Sequence, residues 1–311
     1  MGEVLITGAA GFVGSHLIEL LAHEDVDIVG WQRPGTAPIV THPRVKWVVV
    51  EMHDAGEVAT AVRAASPSAV YHLAGAAHVG DSWQHIRETF AGNVLATQHL
   101  FEGLRAAGLR PRVLVTGSAM IYKPIDRPIT ERDEISPNSP YATSKLAQEM
   151  LSQRAWEDDG LPVVIARAFN HVGPRQAPSF VASAIARQIA AIEAGRMPPV
   201  LRMGNLAPKR DIMDVRDTVR AYRAMMAAAR PGVPYNVCAG QPVAIQELVD
   251  LFRSSARVPI AVEQDPSKFR PNDTPLLAGD ATRLKTDTGW SPQVPLRQTV
   301  DDLLDYWRRS E

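Results

Sequence analysis

The chain is 311 residues long, 45% hydrophobic and 22% charged, a composition that excludes both the disordered and the membrane-embedded classes. Its 33 Lys and Arg residues stand against 34 Asp and Glu, a net charge of -1 that gives no electrostatic case for nucleic acid or an anionic lipid surface as a partner. The length exceeds that at which a single core stops growing, so a large α/β domain with a smaller lobe is expected.

Met1-Gly2-Glu3 runs directly into an apolar strand, without the basic start and apolar stretch of a secretory signal, and no apolar run reaches the ~20 residues of a membrane span. A cytoplasmic protein is expected. Cys238 is the only cysteine, so an intramolecular disulfide and a cysteine-rich metal site are excluded. It reads as a small buried hydrophobe in a strand.

Glu3 to Thr7 is a short apolar run ending at a glycine, the pattern of a strand buried on both faces of a parallel sheet, and a helix should follow from about Gly14. Similar runs recur at Val26 to Gly30, Val45 to Val50, Ala69 to Leu73, Val113 to Val115 and Val163 to Ala166, separated by helix-length segments. This alternation predicts an α/β fold with a doubly wound parallel sheet of the Rossmann type, its ligands outside the carboxyl ends of the strands. After Asn170 the texture changes: prolines at Pro174, Pro178, Pro198, Pro199 and Pro208 flank a helical stretch from Phe180 to Ala194. Tyr235 to Cys238 reads as a strand rejoining the sheet, and helices are expected near Ile245 to Ser254 and Leu296 to Arg308. Residues 1–169 with about 211–239 are therefore assigned to the nucleotide-binding domain, and 170–210 with 240–311 to a smaller substrate lobe.

The turn GAAGFVG places Gly8, Gly11 and Gly14 between a strand and a helix, with Phe12 and Val13 inside it. The first glycine permits a tight turn, the next lets backbone approach a pyrophosphate, and the last allows close helix–sheet packing. The helix N-terminus then offers N–H groups and its positive dipole end to the phosphates. No carboxylate closely follows the second strand to hold ribose hydroxyls; Arg33 stands there instead, suited to a 2'-phosphate. NADP(H) is the expected cofactor, with NAD(H) and a solvated Arg33 as the alternative.

SPYATSK reads as a helix start, with Ser139 as the cap and Pro140 at the first helical position. Tyr141 and Lys145 then lie one turn apart on one face. A free tyrosine titrates near pH ~10, and a neighbouring ammonium together with an oxidised nicotinamide ring would lower that value, allowing proton exchange at a carbonyl or alcohol. Ser118, just past a strand end, can hydrogen-bond the same oxygen.

These motifs resemble the extended short-chain dehydrogenase/reductases that act on nucleotide-diphosphate sugars. GAAGFVG, HLAG from His72 to Gly75, NVLAT from Asn93, TGS from Thr116 to Ser118, YATSK, and RAFNHVGP from Arg167 fall in the family's order. The resemblance implies that Glu51 and Met52 flank the adenine, that Leu73, Ala74 and Gly75 line the cofactor with Asn93, Thr116, Ala168 and His171, and that Ser118, Tyr141 and Lys145 form the catalytic triad. The C-terminal half is similar to the branch handling GDP-linked 6-deoxyhexoses, GDP-4-keto-6-deoxy-D-mannose reductases above all. By that similarity Asn170, Val181, Arg187, Arg210, Arg270 and Asp273 contact the nucleotide diphosphate, for which guanidinium forks are suited. The resemblance also implies a homodimer through the tyrosine-bearing helix and the one before it, where Leu146, Met150 and Leu151 make an apolar face that core packing would explain equally well.

Related sugar 4,6-dehydratases carry an acidic pair directly after the catalytic Ser or Thr, because eliminating water needs an acid and a base. Ala119 and Met120 occupy those positions beside the sugar, and neither exchanges a proton, so dehydration is rejected. Lys123, after Tyr122, replaces a glycine usual in the family and is expected to reshape the sugar pocket. His78, in a loop after a strand end, is a candidate for approaching the sugar. The histidines show no metal-ligand spacing, so no metal is expected, and His16, His53 and His72 read as packed or solvated. The leading expectation is NADPH-dependent reduction of the 4-keto group of a GDP-linked 4-keto-6-deoxyhexose. The alternative is a nucleotide-sugar 4-epimerase that uses the same three residues with retained cofactor.

Overall fold

The computed structural model describes residues 3–24, 26–269 and 274–310. Seven parallel strands form the main sheet: β1 (Val4–Thr7), β2 (Ile28–Gln32), β3 (Val45–Val49), β4 (Ala69–His72), β5 (Arg112–Ser118), β6 (Val163–Ala168) and, beyond β7 (Asn170–Val172), β8 (Val200–Met203) and β9 (Lys209–Asp214), the late strand β10 (Pro234–Val237). Their order is β10-β6-β5-β4-β1-β2-β3, which is the doubly wound order with one strand added at the β6 edge. Because every pair is parallel, the carboxyl ends of β1, β4, β5 and β6 open on one edge.

The strands bury both faces with period two. Val4 and Ile6 join a core under α1 (Phe12–Ala22) and α7 (Val215–Ala228), whereas Leu5 joins a core under α2 (Ala55–Ala65) and α4 (Ala96–Ala106). A third core belongs to the smaller lobe, where α6 (Val181–Glu193), α8 (Ile245–Ser254) and α10 (Leu296–Ser310) pack together. There β9 pairs with β7, β11 (Pro242–Ala244) and β13 (Leu276–Leu277), and β8 pairs with β12 (Ala261–Gln264).

The lobes interleave, but not at the expected boundaries. β9, expected partly in the large domain, hydrogen-bonds to the lobe strand β7 through Asn170↔Ile212 and Val172↔Asp214, so the return begins with α7. Leu277, Ala281, Leu284 and Trp290, expected in the lobe, pack into the core under α1 and α7, because α9 (Thr282–Thr288) lies against β10 and α7. Cys238 follows directly on β10 and is fully buried, and burial pushes its thiol up. Among the described residues, no helix is long and apolar enough to cross a membrane.

Candidate active site

β1 ends at Thr7 and α1 begins at Phe12, which leaves the glycine turn between them. Gly8 adopts φ +67°, and a Cβ there would lie 2.8 Å from Ala74 N and 2.9 Å from Leu73 C, so the turn passes directly against the end of β4. A Cβ at Gly14 would lie 2.5 Å from Gly8 O and 2.6 Å from Ala9 O, which only glycine avoids, while Gly11 is less confined at 3.2 Å from Gly8 O. The N-terminus of α1 has no side-chain cap and no acidic residue in its first turn. Its first N–H groups and the positive end of its dipole therefore face outward with the glycine cradle beneath them, an arrangement that fits a dinucleotide pyrophosphate.

The remaining cofactor candidates gather on the same edge. Arg33 follows β2 and is exposed; its carbonyl takes the N–H and hydroxyl of Thr36 at 3.2 and 2.7 Å, which folds the loop locally. Gln32 beside it has a buried Oε1 without a hydrogen-bond partner among the described residues. Glu51 and Met52 follow β3: the Glu51 carboxylate accepts from the His53 N–H at 3.0 Å, and the Met52 carbonyl accepts from the His99 ring at 2.9 Å. Leu73, Ala74 and Gly75 follow β4, and Thr116 lies within β5. Asn93 sits in a π-helical turn, Ala91–Leu95, and donates to Ala76 O and Ser144 Oγ at 3.2 and 2.9 Å. Its buried Oδ1 is a second polar atom without a described partner, facing Gly75. Ala168 ends β6, and the His171 ring of β7 stacks on Phe12 at 6.1 Å with 16° between planes.

Ser118 ends β5 and opens a short 3-10 turn, Ala119–Ile121, by accepting from Met120 N at 3.2 Å. Ser139 caps α5 (Pro140–Glu157) by accepting from Ala142 N at 3.2 Å, with Pro140 at its start. Tyr141 is thereby buried, with Ser118 near enough to its phenol to favour the ionised form, and its backbone N–H is held by Ser82 Oγ at 3.2 Å. Lys145 Nζ stands 6.0 Å from the Tyr141 ring centre.

The expected lowering of the Tyr141 pKa by Lys145 together with an oxidised nicotinamide ring belongs to the cofactor-bound protein. Lys145 donates to Thr116 O at 2.9 Å and Gln148 Oε1 at 3.0 Å rather than to the phenol. Burial raises the Tyr141 phenol, opposed only by the Ser118 hydrogen bond, and burial pulls Lys145 down to about 8. In this state the pair is a protonated phenol beside an ammonium close to its titration point.

The substrate candidates are more dispersed. Ala119 is buried and Met120 partly buried beside Ser118, so no proton-exchanging side chain stands at either position. His78 packs edge-on against Phe180 at 5.3 Å and donates from its ring to Ser179 O at 3.3 Å, at the foot of α6. Asn170 is exposed on β7, and Val181 is 42% exposed at the start of α6. One turn and a half further on, the Arg187 guanidinium lies 5.9 Å from the Trp307 ring. Arg210 on β9 reaches Thr274 O at 2.6 Å. Arg270 and Asp273 lie outside the described residues. Lys123, expected to shape the sugar pocket, instead pairs with Glu134 at 2.9 Å on an exposed surface. Of the histidines read as packed or solvated, His16 and His72 are buried and His53 is exposed. Among the described residues, no group of three or more His, Cys, Asp or Glu is placed to hold a metal.

The family model described as GDP-mannose 4,6 dehydratase matches residues 5–303. The chain belongs to this GDP-mannose 4,6-dehydratase family. A GDP-6-deoxy-D-mannose reductase from Pseudomonas aeruginosa is 33% identical over 98% of this chain and 97% of its own. Among solved structures, RMD from Pseudomonas aeruginosa complexed with NADPH superimposes with a TM-score of 0.87 at 31% identity, covering 100% of both chains. The UDP-glucose 4-epimerase of Thermus thermophilus in complex with NAD gives 0.88 at 26% identity, covering 98% of this chain and 99% of that one.

Two buried hydrogen-bonded groups lie around the candidate site, and the sequence reading left out Gln148 and Thr97 of the first and Glu149 and Asn236 of the second. Gln148, Thr97 and His72 sit behind Lys145, and Glu149 of the same helix joins Arg167, Tyr122 and Asn236 in a second buried system. Gln148 and Glu149, three and four residues after Lys145, carried a signal in that helical spacing. Thr97 carried none.

Proposed function

We propose that this chain is an NADPH-dependent reductase that converts the 4-keto group of a GDP-linked 4-keto-6-deoxyhexose to the alcohol. One observation carries the reading: Ser118 and Tyr141 meet at the carboxyl edge of the sheet, while Ala119 and Met120 provide no acid or base for elimination. The family's redox groups are present and its dehydration groups are not. The 33% identical reductase of Pseudomonas aeruginosa supports the GDP-sugar, and the NADPH complex of RMD supports the cofactor.

Bound NADPH supplies the hydride to the carbonyl carbon. Gly8, Gly11, Gly14 and the N-terminus of α1 would hold its pyrophosphate, and the exposed Arg33 would suit a 2'-phosphate. Ser118 hydrogen-bonds the substrate oxygen, and the Tyr141 phenol gives that oxygen its proton as the alcohol forms. A phenol pushed upward by burial keeps its proton until the oxygen becomes strongly basic, which is the state that reduction requires. Lys145 then supports the phenolate electrostatically until it regains a proton. Asn170, Val181, Arg187 and Arg210, with Arg270 and Asp273, are assigned to the nucleotide diphosphate.

The protein is further proposed to work as a cytoplasmic homodimer. Leu146 and Leu151 pack toward the two cores of the large domain, which removes them from the expected apolar face, but Met150 on α5 is 58% exposed and Leu95 beside α4 is 50% exposed. A second copy covering these two side chains would account for their exposure. The single cysteine is buried, in keeping with a reducing compartment.

Purified protein given NADPH and a GDP-4-keto-6-deoxyhexose is expected to consume one NADPH for each sugar reduced. Interconversion of a fully hydroxylated sugar nucleotide without net NADPH consumption would replace this reading with the epimerase. Tyr141→Phe is expected to lose about 10²–10⁴-fold in kcat while still binding nucleotide, and full activity in that variant would overturn the assignment of the acid.

A further inference from the structure

Lys145 stands at one end of a hydrogen-bonded chain that is buried along its length. Its ammonium donates to Gln148 Oε1 at 3.0 Å, and Gln148 Nε2 donates to Thr97 Oγ1 at 2.8 Å. The Thr97 hydroxyl proton is itself committed to Asn93 O at 2.7 Å. Thr97 Oγ1 can therefore only accept from His72 Nε2, 2.8 Å away, and this puts the ring proton on Nε2. His72 Nδ1 is left as the acceptor for the Thr7 hydroxyl at 2.8 Å, and Thr7 Oγ1 in turn accepts from Ala74 N–H at 3.1 Å. The circuit closes through β5: the Thr116 hydroxyl donates to His72 O at 3.3 Å, and Thr116 O takes the second hydrogen bond of Lys145.

Thr7, His72, Thr97 and Gln148 are each 0% exposed. With each hydroxyl and ring nitrogen assigned one role, a single arrangement of protons satisfies the chain, and in it His72 is neutral. The chain joins the residue before the glycine turn, and the N–H of Ala74 beside that turn, to the lysine that faces Tyr141.

We propose that Gln148, Thr97 and the Nε2–H tautomer of His72 form a positioning chain that holds Lys145 as an ammonium and sets it in register with the cofactor turn. None of the three is a catalytic residue. The proposal rests on the reductase reading only in that Lys145 serves Tyr141 there.

The electrostatics agree with the geometry. Burial, and secondarily the Lys145 charge, bring His72 down to about 3, so it stays neutral at working pH. The titratable groups facing Lys145 are Tyr141 from its own helix and His72 from β4; Glu149, next along α5, is turned to Arg167. Burial alone displaces Lys145, and its charge is held by two neutral acceptors, Thr116 O and Gln148 Oε1. Losing one of these favours the neutral amine.

The test is the titration of Lys145 in the folded protein without added cofactor, read by NMR of 13C-labelled lysine and assigned with Lys145→Gln. Gln148→Met is expected to move that titration down by about one pH unit, roughly tenfold in acidity constant, and Gln148→Glu to move it up. The alkaline limb of kcat/KM for NADPH oxidation should move with it in both variants. Thr97→Val, which frees Gln148 and His72 together, gives a second reading should Gln148→Met not fold; Thr97→Ser, which keeps the hydroxyl, is expected to restore the titration. A folded Gln148→Met or Thr97→Val protein whose Lys145 titrates as in the parent would overturn the proposal. A parent that consumes no NADPH while Gln148→Met still displaces Lys145 would remove the reductase reading and leave the positioning chain standing.

Discussion

Two adjacent residues of α5 anchor it to the large domain by opposite means. Gln148 leads into a chain of neutral groups that ends at Thr7, whereas Glu149 meets the Arg167 guanidinium at 3.0 and 2.5 Å with both side chains almost fully buried. Arg167 also donates to Tyr122 Oη at 2.7 Å and lies 4.9 Å from that ring, and the Tyr122 hydroxyl donates to Asn236 Oδ1 at 2.7 Å. Burial works against the Arg167 charge, but Glu149 and Tyr122 outweigh it and hold the guanidinium above its usual range, so no proton leaves it. Lys145, one turn earlier, has neutral acceptors only and sits at about 8. A buried ion pair fixes geometry and freezes protonation, whereas neutral acceptors fix geometry and leave the proton exchangeable. The helix uses the first kind where it must only be held and the second where chemistry is assigned.

The contrast can be broken from its charged side with the largest effect. Arg167→Met leaves Glu149 buried without its partner and is expected to cost about 3–5 kcal/mol in urea unfolding, most of it regained in the double variant Arg167→Met/Glu149→Leu. A single-variant cost under ~1 kcal/mol would show that water reaches the pair and that its charge is not insulated.

The neutral side is sharpened by acid. His72 is brought down to about 3 and His16 to about 4, both chiefly by burial, so below pH ~6.5 the unfolded chain binds two protons that the folded chain refuses. Stability from these groups is fully present above pH ~6.5 and is lost as pH falls through the folded values. Each contributes a slope of about 1.4 kcal/mol per pH unit, which urea unfolding between pH 7 and 4.5 would measure. A flat profile there would mean that His72 is not locked neutral.

The smallest expected effect lies at the start of the helix that both systems share. Ser139→Ala removes the cap on Ala142 N and is expected to cost ~1 kcal/mol without moving the Lys145 titration, since neither buried system includes Ser139.

How much could be read in advance follows the range of each interaction. The turn from Gly8 to Gly14, the cap and proline at Ser139 and Pro140, and the spacing of Tyr141 and Lys145 depend on backbone geometry over a few residues, and all appear as expected. Strand ends fall within about two residues of expectation except in β5, which runs three residues past Val115 to Ser118 because Thr116 to Ser118 pair with Ala166 to Ala168 of β6. Residue type suggested a role for Lys123, and left the Leu146 face open between core packing and an interface, while the fold decides direction. Lys123 found Glu134 at the surface, and Leu146 found the core.

The sequence by itself determined the α/β class, the glycine turn before α1, the placement of Tyr141 and Lys145 one turn apart on α5 and, through Ala119 and Met120, the lack of a proton-exchanging side chain after Ser118. Only the tertiary structure decided what stands behind Lys145. Gln148 and Thr97 are 51 residues apart, Thr97 and His72 are 25, and His72 and Thr7 are 65. No local periodicity relates such positions. They meet because parallel pairing sets Thr7 beside His72 at neighbouring strand ends, and because buried polar groups must find their partners within the protein.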